Sequence, residues 1–106
     1  PFLFYSSFPD IFILTHFLLA INIKNKKWAD DFSPIDPLGT SFVDSTYTKA
    51  YLRHLFIAGE MLGAIIASQH NLAFYLDLVA KAKEHIKTGD FGSWKDAVVK
   101  KLETRL

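Results

Sequence analysis

Three lysines lie close together near the start of the chain, at Lys24, Lys26 and Lys27. They follow a stretch in which apolar and polar residues alternate, as in a short strand with one face exposed to solvent. Clustered lysines supply contacts to phosphates, which hold a nucleic-acid backbone without reading its sequence. Lysines at the end of a strand are also often solvated residues that discourage edge pairing. The sequence alone leaves both interpretations open.

The segment from residue 29 to 45 carries four aspartates, a residue type that binds hard cations. Their spacing does not match the ligand series of an EF-hand, so most of them are predicted to form turns. No cysteine occurs in the chain, which excludes disulfides and thiolate metal sites. No serine, cysteine or carboxylate is spaced to make His54 a catalytic base. The residues therefore predict no catalytic group and no metal site.

Residues 47–86 contain no proline, and their apolar residues recur at steps of three and four. This spacing predicts two amphipathic helices in a hairpin. Gly59 and Gly63 are predicted to mark the break between them, and Asn71 the N-cap of the second helix. The predicted apolar stripes are Tyr51, Leu55, Ala58 and Leu62 in the first helix, and Leu72, Tyr75, Leu76, Val79, Ala82 and Ile86 in the second.

A third helix is predicted beyond Gly89, which ends the second, with Ser93 as N-cap. Its apolar stripe would be Trp94, Val98 and Leu102. The other face of this helix is rich in lysine, which is typical of a solvated surface and also of a nucleic-acid contact. Residues 29–45 contain two prolines and a glycine and are predicted to form a loop. With a strand over residues 21–28, the chain is predicted to be mainly α, with three helices and one or two short N-terminal strands.

The composition is that of a folded domain or a part of one. The chain has 106 residues, of which 50% are hydrophobic, and its formal net charge is +1. These values exclude a disordered charged tail and give no global argument for nucleic-acid binding. The uninterrupted apolar stretch, Ile11 through Ile23, is shorter than the roughly 20 residues that a spanning helix needs, and it contains the polar residues Thr15, His16 and Asn22. We therefore expect no membrane association and interpret residues 1–20 as a buried strand region.

Several stretches match one family in the identity of their residues as well as in the spacing of their apolar residues. The main ones are YTKAYLRHL at 47–55, AGEMLG at 58–63 and HNLAFY at 70–75. Shorter ones are INIKN at 21–25, DFSPIDP at 31–37 and GDFGSWK at 89–95. From residue 21 onward the chain thus resembles the C-terminal part of the tRNA-guanine transglycosylases, also called queuine tRNA-ribosyltransferases. Residues 1–20 lie outside the resemblance.

This resemblance implies the C-terminal part of a (β/α)8 barrel. Residues 21–63 would be the subdomain that usually binds zinc, and residues 64–106 the last barrel helix and the C-terminal helix. The family is a group of cytoplasmic glycosyltransferases, usually dimeric, that exchange guanine in tRNA for a 7-deazaguanine base through a nucleophilic aspartate. The chain would then meet tRNA as part of the larger protein, with Lys24, Lys26 and Lys27 as candidate backbone contacts. The alternative is a helical dimerisation or interaction module without enzymatic activity, or a degenerate remnant of the enzyme.

In most members of the family, three cysteines and a histidine bind a structural zinc. The corresponding positions are Gly39, Ser41, Asp44 and, for the histidine, His70. Glycine and serine cannot replace soft thiolate ligands, so we expect this chain to hold no zinc and no other cofactor. The sequence of residues 39–44 is similar to that of a cysteine-free branch of the family from the Bacteroides group. His70 is then predicted to hydrogen-bond to the loop, with Asp44 as its candidate partner.

Two further expectations concern two apolar residues of this loop and residues 1–20, which we call the leader. Phe42 and Val43 are predicted to anchor the loop by burying apolar area. Counting back from the match at residue 21 places the nucleophilic aspartate of the family at about Pro1, where no such motif occurs, and Asp10 does not match it either. We therefore expect residues 1–20 not to be the native continuation of the family sequence, and the chain alone to be inactive.

Overall fold

The computed structural model describes residues 13–16 and 19–103, with side chains for residues 21–103. Its elements are two strands, a short 3-10 helix and four α-helices. The mainly helical architecture is confirmed, although there are four α-helices where three were predicted. The two described strands form a single antiparallel pair, so the parallel barrel implied by the resemblance is not present among these residues.

An antiparallel hairpin precedes the helices. Strand β1 (Ile13–His16) pairs with strand β2 (Leu19–Asn22), with Ile13 opposite Asn22. The prediction of one or two short strands near the N terminus is thereby confirmed. The remaining residues of the leader, 1–12 and 17–18, lie outside the described part of the chain.

The strand predicted over residues 21–28 ends early, at Asn22. The side chain of Asn22 accepts a hydrogen bond from the backbone of Lys24 (3.1 Å), and its carbonyl accepts one from the backbone of Asn25 (3.0 Å). Asn25 in turn caps the 3-10 helix Lys26–Trp28 by accepting from the Lys27 amide. Asparagine side chains compete with strand hydrogen bonds in this way, which is why the alternating pattern does not continue as a strand.

A short helix, α1 (Phe42–Thr46), lies within the predicted loop. Ser41 and Asp44 form a capping box, since the Ser41 hydroxyl accepts from the Val43 amide and the Asp44 carboxylate accepts from the Ser41 amide. The prediction of an irregular loop over residues 29–45 is therefore wrong for this part. Serine followed by an acidic residue three positions later is the signal for such a helix start.

The helical hairpin is confirmed. Helix α2 (Lys49–Ala58) ends at Gly59, whose φ of 73° lies in the left-handed region that favours glycine. Helix α3 (Met61–Thr88) begins two residues later and packs back against α2. Gly63 lies inside α3, and a Cβ at this position would approach the Leu55 side chain to 3.2 Å. The break is thus at Gly59, while Gly63 lets the two helices come close.

Two predicted caps are wrong. Asn71 does not begin a helix, because α3 runs through it without interruption for 28 residues and buries its side chain. Ser93 does not begin the last helix either, because α4 (Phe91–Leu102) already starts after Asp90. Gly89 ends α3 with a φ of 85°, as predicted. Neither side chain caps a helix end: Asn71 is buried within α3, and the Ser93 hydroxyl donates to the Asp90 carbonyl at 3.2 Å.

The hydrophobic core lies between strand β2, the loop after it, α2 and the first half of α3. Tyr51, Ala58 and Leu62 of the first predicted stripe are exposed, and Leu52 takes an inward position beside Leu55. Val43 is buried as predicted, whereas Phe42 is 71% exposed and does not anchor the loop. The core consists of Ile21, Ile23, Ile35, Val43, Leu52, Leu55, Ile66 and Ala67.

The stripe predicted for the second helix lies on the surface of the described chain. Leu72, Leu76, Val79 and Ile86 are each more than half exposed. Helix α4 covers only part of the neighbouring face, with Val98 buried and Trp94 and Leu102 half-buried. The second half of α3 therefore presents an uncovered apolar face.

Candidate functional site

A buried pair of polar side chains, Asp44 and His70, joins the loop to α3. Asp44 Oδ1 accepts a hydrogen bond from Nδ1 of the His70 ring, and the exposed fractions of the two side chains are 2% and 1%. The second carboxylate oxygen accepts from the Ser41 amide at 2.9 Å. The predicted link between His70 and Asp44 is confirmed, and it fixes α1 against the middle of α3.

Position 39 is closely surrounded by the Asp44 side chain. An added Cβ on Gly39 would lie 2.1 Å from Asp44 Oδ2 and 2.4 Å from its Cγ, well inside van der Waals contact. The Gly39 amide donates to the carbonyl of Asp36 at 3.0 Å, which closes a tight turn at this point. Glycine at 39 is therefore needed to make room for the carboxylate, a role that sequence spacing alone did not indicate.

The geometry does not fit a zinc ion. Ser41 and Asp44 use their side chains in the capping box, Gly39 offers no donor, and His70 contacts Asp44 directly. Among residues 21–103, no three His, Asp or Glu side chains converge as a metal-ligand set. The residues at the four family positions are thus engaged with one another and leave no ligand set for zinc.

A cavity of about 270 Å³ opens beside the Asp44 and His70 pair. Side chains of both charge signs line it, including Asp36 and Lys81, and Lys81 pairs with Asp77 at 2.9 Å. This mixed lining does not indicate one class of ligand. It does provide an access path to the pair from solvent.

Lys49 is a buried lysine at the start of α2, with only 2% of its surface exposed. Its ammonium group donates to the carbonyl of Pro34 at 2.7 Å and to the hydroxyl of Ser33 at 3.0 Å. Burial lowers the pKa of Lys49, and the nearby carboxylates of Asp31 and Asp36 oppose that shift. Lys49 therefore ties the loop to α2.

Replacing Lys49 by methionine is expected to lower the free energy of unfolding by about 1 to 3 kcal/mol. The reason is that the Pro34 carbonyl and the Ser33 hydroxyl lose a charged donor in a partly buried place. The matched control is Lys26→Met, which changes an exposed lysine and should stay within about 0.5 kcal/mol. Urea denaturation measures both. Equal stability of Lys49→Met and the parent chain would mean that desolvation of the ammonium group fully offsets its hydrogen bonds.

The lysines of the predicted phosphate contact lie on the turn after β2 and in the 3-10 helix that follows it. Lys26 and Lys27 are exposed, Lys24 is half-buried, and the Lys27 ammonium lies 4.8 Å from the centre of the Trp28 ring. Arg53 of α2 joins them, since its Nε donates to the carbonyl of Asn25 at 3.2 Å. We call the set Lys24, Lys26, Lys27 and Arg53 the basic surface.

Arg53 was not predicted to belong to this surface, because it is 26 residues or more from the lysines in sequence and only the fold brings it near them. His54, the next residue, is exposed and has no catalytic role assigned. Glu60 precedes α3 without a side-chain capping bond. In the described part of the chain, no ion pair joins Glu60 to Arg53.

Comparison with known proteins defines the class to which this fold and these residues belong. The model of the queuine tRNA-ribosyltransferase family matches residues 8–104. The chain therefore belongs to the queuine tRNA-ribosyltransferase family, as the resemblance predicted. The family match includes residues 8–20, whereas the segment-by-segment resemblance begins at residue 21; the domain boundaries remain predictions.

Individual relatives agree with the family match. The chain is 45% identical over 75 residues to the queuine tRNA-ribosyltransferase of Oleidesulfovibrio alaskensis, covering 71% of this chain and 20% of that protein. It is 42% identical over 87 residues to the one from Treponema denticola and 34% identical over 87 residues to the one from Aquifex aeolicus, each match covering 82% of this chain and 23% of the relative. The chain thus spans about a fifth of the length of these relatives. No helix in the described residues is long and apolar enough to cross a membrane.

Proposed function

We propose that this chain is the C-terminal part of a queuine tRNA-ribosyltransferase and acts on tRNA as part of that larger protein. Family membership and the coverage of about a fifth of each relative support this proposal. The reaction would be the one that the resemblance implies, the exchange of guanine in tRNA for a 7-deazaguanine base. By itself the chain would be inactive, because no residue in it matches the nucleophile.

The observation that carries the proposal is the uncovered apolar face of α3. Leu72, Leu76, Val79 and Ile86 are exposed by 55%, 64%, 52% and 61%, and they lie along one side of the helix. Contiguous apolar surface of this kind marks a face that is covered by another part of the protein or by a partner. We infer that the rest of the same polypeptide, the barrel, covers this face.

The intact mass of the native protein tests the proposal. An antibody against residues 47–86 would recover the protein from its source, and mass spectrometry would give its size. A species roughly three and a half times heavier than the 12.1 kDa of this chain is expected, because the 75 matched residues are 20% of the relative. A native species of about 12.1 kDa would contradict the proposal and favour the alternative, a helical interaction module without enzymatic activity.

The basic surface is proposed as a contact to the tRNA backbone. Replacing Lys24, Lys26 and Lys27 together by glutamine in the native protein is expected to weaken tRNA binding roughly tenfold or more at low salt, because fewer phosphates are neutralised and fewer counterions are released on binding. The slope of log Kd against log salt should fall by about one for each phosphate that the variant no longer neutralises. Filter binding of tRNA across a salt series measures both quantities.

A matched control removes the same charge elsewhere. Lys83, Lys87 and Lys95 are exposed and lie near the C-terminal end of α3 and on α4, so their triple replacement by glutamine removes three positive charges away from the basic surface. The proposal expects this control to bind tRNA nearly as well as the parent protein. Equal weakening in the two triple variants would assign the effect to net charge and not to the basic surface.

A homodimer and a cytoplasmic location belong to the same proposal, since the resemblance implies both. The mass of the native protein in solution, measured by light scattering at several concentrations, tests the first. Fractionation of the source cells tests the second.

A further inference from the structure

The four positions that correspond to zinc ligands in the family form a connected set of direct contacts in this chain. Asp44 lies at its centre, with one carboxylate oxygen bound to the His70 ring and the other to the Ser41 amide. The backbone carbonyl of Asp44 also accepts from the Asp36 amide at 3.3 Å. A single residue thus holds together the loop, α1 and α3, which are the parts that a bound metal ion would join.

The space for this carboxylate exists only because residue 39 is glycine. Any side chain at 39 would begin 2.1 Å from Asp44 Oδ2, a distance that real atoms do not adopt without displacement. A cysteine at 39 and the observed position of the Asp44 side chain therefore exclude each other. Gly39 and Asp44 act as one structural unit and cannot be considered as two separate lost ligands.

We propose that Asp44 takes the structural place of the zinc ion, so that the subdomain closes without metal through the buried contact of Asp44 with His70. Each carboxylate oxygen of Asp44 accepts a hydrogen bond from a fixed donor, the His70 ring or the Ser41 amide. A buried carboxylate needs such partners for both oxygens. The same geometry means that the residue tolerated at position 39 depends on the residue at position 44. Cysteines at 39 and 41 displace the Asp44 side chain from its present position and supply only two thiolates, whereas cysteines at 39, 41 and 44 supply three, with His70 as fourth ligand.

The metal content of the native protein is the first test. Zinc would be quantified by mass spectrometry of metals after purification without chelator, and thermal unfolding would be recorded with and without EDTA. The expected result is no stoichiometric zinc and an unchanged Tm. About one zinc ion per chain, together with a fall in Tm when EDTA is added, would overturn the proposal.

The coupling between residues 39 and 44 is the second test. Gly39→Ala is expected to lower the Tm of the native protein by about 5 °C, because the added methyl group displaces the Asp44 side chain. In an Asp44→Ala background the same change should cost clearly less, since the carboxylate is already gone. Equal Tm shifts in the two backgrounds would overturn the proposal.

Rebuilding the metal site keeps the proposal testable if Gly39→Ala fails to fold. The triple variant Gly39→Cys, Ser41→Cys, Asp44→Cys is expected to bind one Co²⁺ per chain, with the absorption of a tetrahedral thiolate site, and Zn²⁺ should displace it. The cavity beside His70 gives the ion access. The control variant Gly39→Cys, Ser41→Cys retains Asp44 and is expected to bind Co²⁺ clearly more weakly, because it offers two thiolates and a carboxylate. Equal binding of Co²⁺ by both variants would overturn the coupling.

Discussion

Replacement of Leu52 by alanine is expected to lower the free energy of unfolding of the 106-residue chain by about 2 to 5 kcal/mol. Leu52 has no exposed surface and lies in the middle of the core, so the change leaves a cavity that the neighbouring side chains fill only in part. A small domain is stable by only about 5 to 15 kcal/mol, so this loss is a large share of the total. Chemical denaturation followed by circular dichroism measures it.

The matched control is Leu76→Ala, the same chemical change on the exposed face of α3. Because Leu76 is 64% exposed, the cost in this chain should be within about 0.5 kcal/mol. In the native protein the proposed barrel covers Leu76, and the cost should rise to about 2 kcal/mol or more. A Leu76→Ala change that is equally harmless in both would contradict the proposal that this face is covered.

The second expected result is that the 106-residue chain alone does not catalyse guanine exchange in tRNA. The 106-residue chain alone should incorporate no labelled guanine into tRNA above the background without enzyme, whereas the native protein should incorporate it readily. The reason is that no residue of the chain matches the aspartate to which the family resemblance assigns the covalent intermediate. Incorporation of radioactive guanine into precipitated tRNA measures the exchange.

Inactive protein is informative only if it is folded. Circular dichroism should show a helical spectrum, and the chain should unfold cooperatively with urea before the assay is interpreted. Exchange catalysed by the folded chain alone would mean that its catalytic groups lie within these 106 residues, and the assignment of no catalytic residue would be wrong.

Helical periodicity was sufficient to predict the main elements but not their ends. The corner at Gly59 and the end of α3 at Gly89 were predictable because both require a left-handed backbone that glycine adopts at little cost. The cap predicted at Asn71 is wrong because a residue that caps helices well is also tolerated inside a long helix when packing decides. Apolar spacing identified a stripe on α3 but could not say what covers it.

One part of the candidate site could be predicted from the resemblance to the family. The contact of His70 with Asp44 followed from aligning the chain with the zinc positions of the family. The burial of Lys49 and the place of Arg53 on the basic surface did not follow, because both depend on how α2 packs against distant loop residues. No periodicity in the sequence reports such contacts.

The close approach of position 39 to Asp44 also limits which pairs of residues these two positions can hold together. A chain with cysteine at 39 could not hold aspartate at 44 in its present position, because the two side chains would occupy the same space. Glycine at 39, by contrast, leaves room for the carboxylate of Asp44. Within this geometry, a cysteine at 39 therefore requires that the Asp44 side chain be moved or replaced.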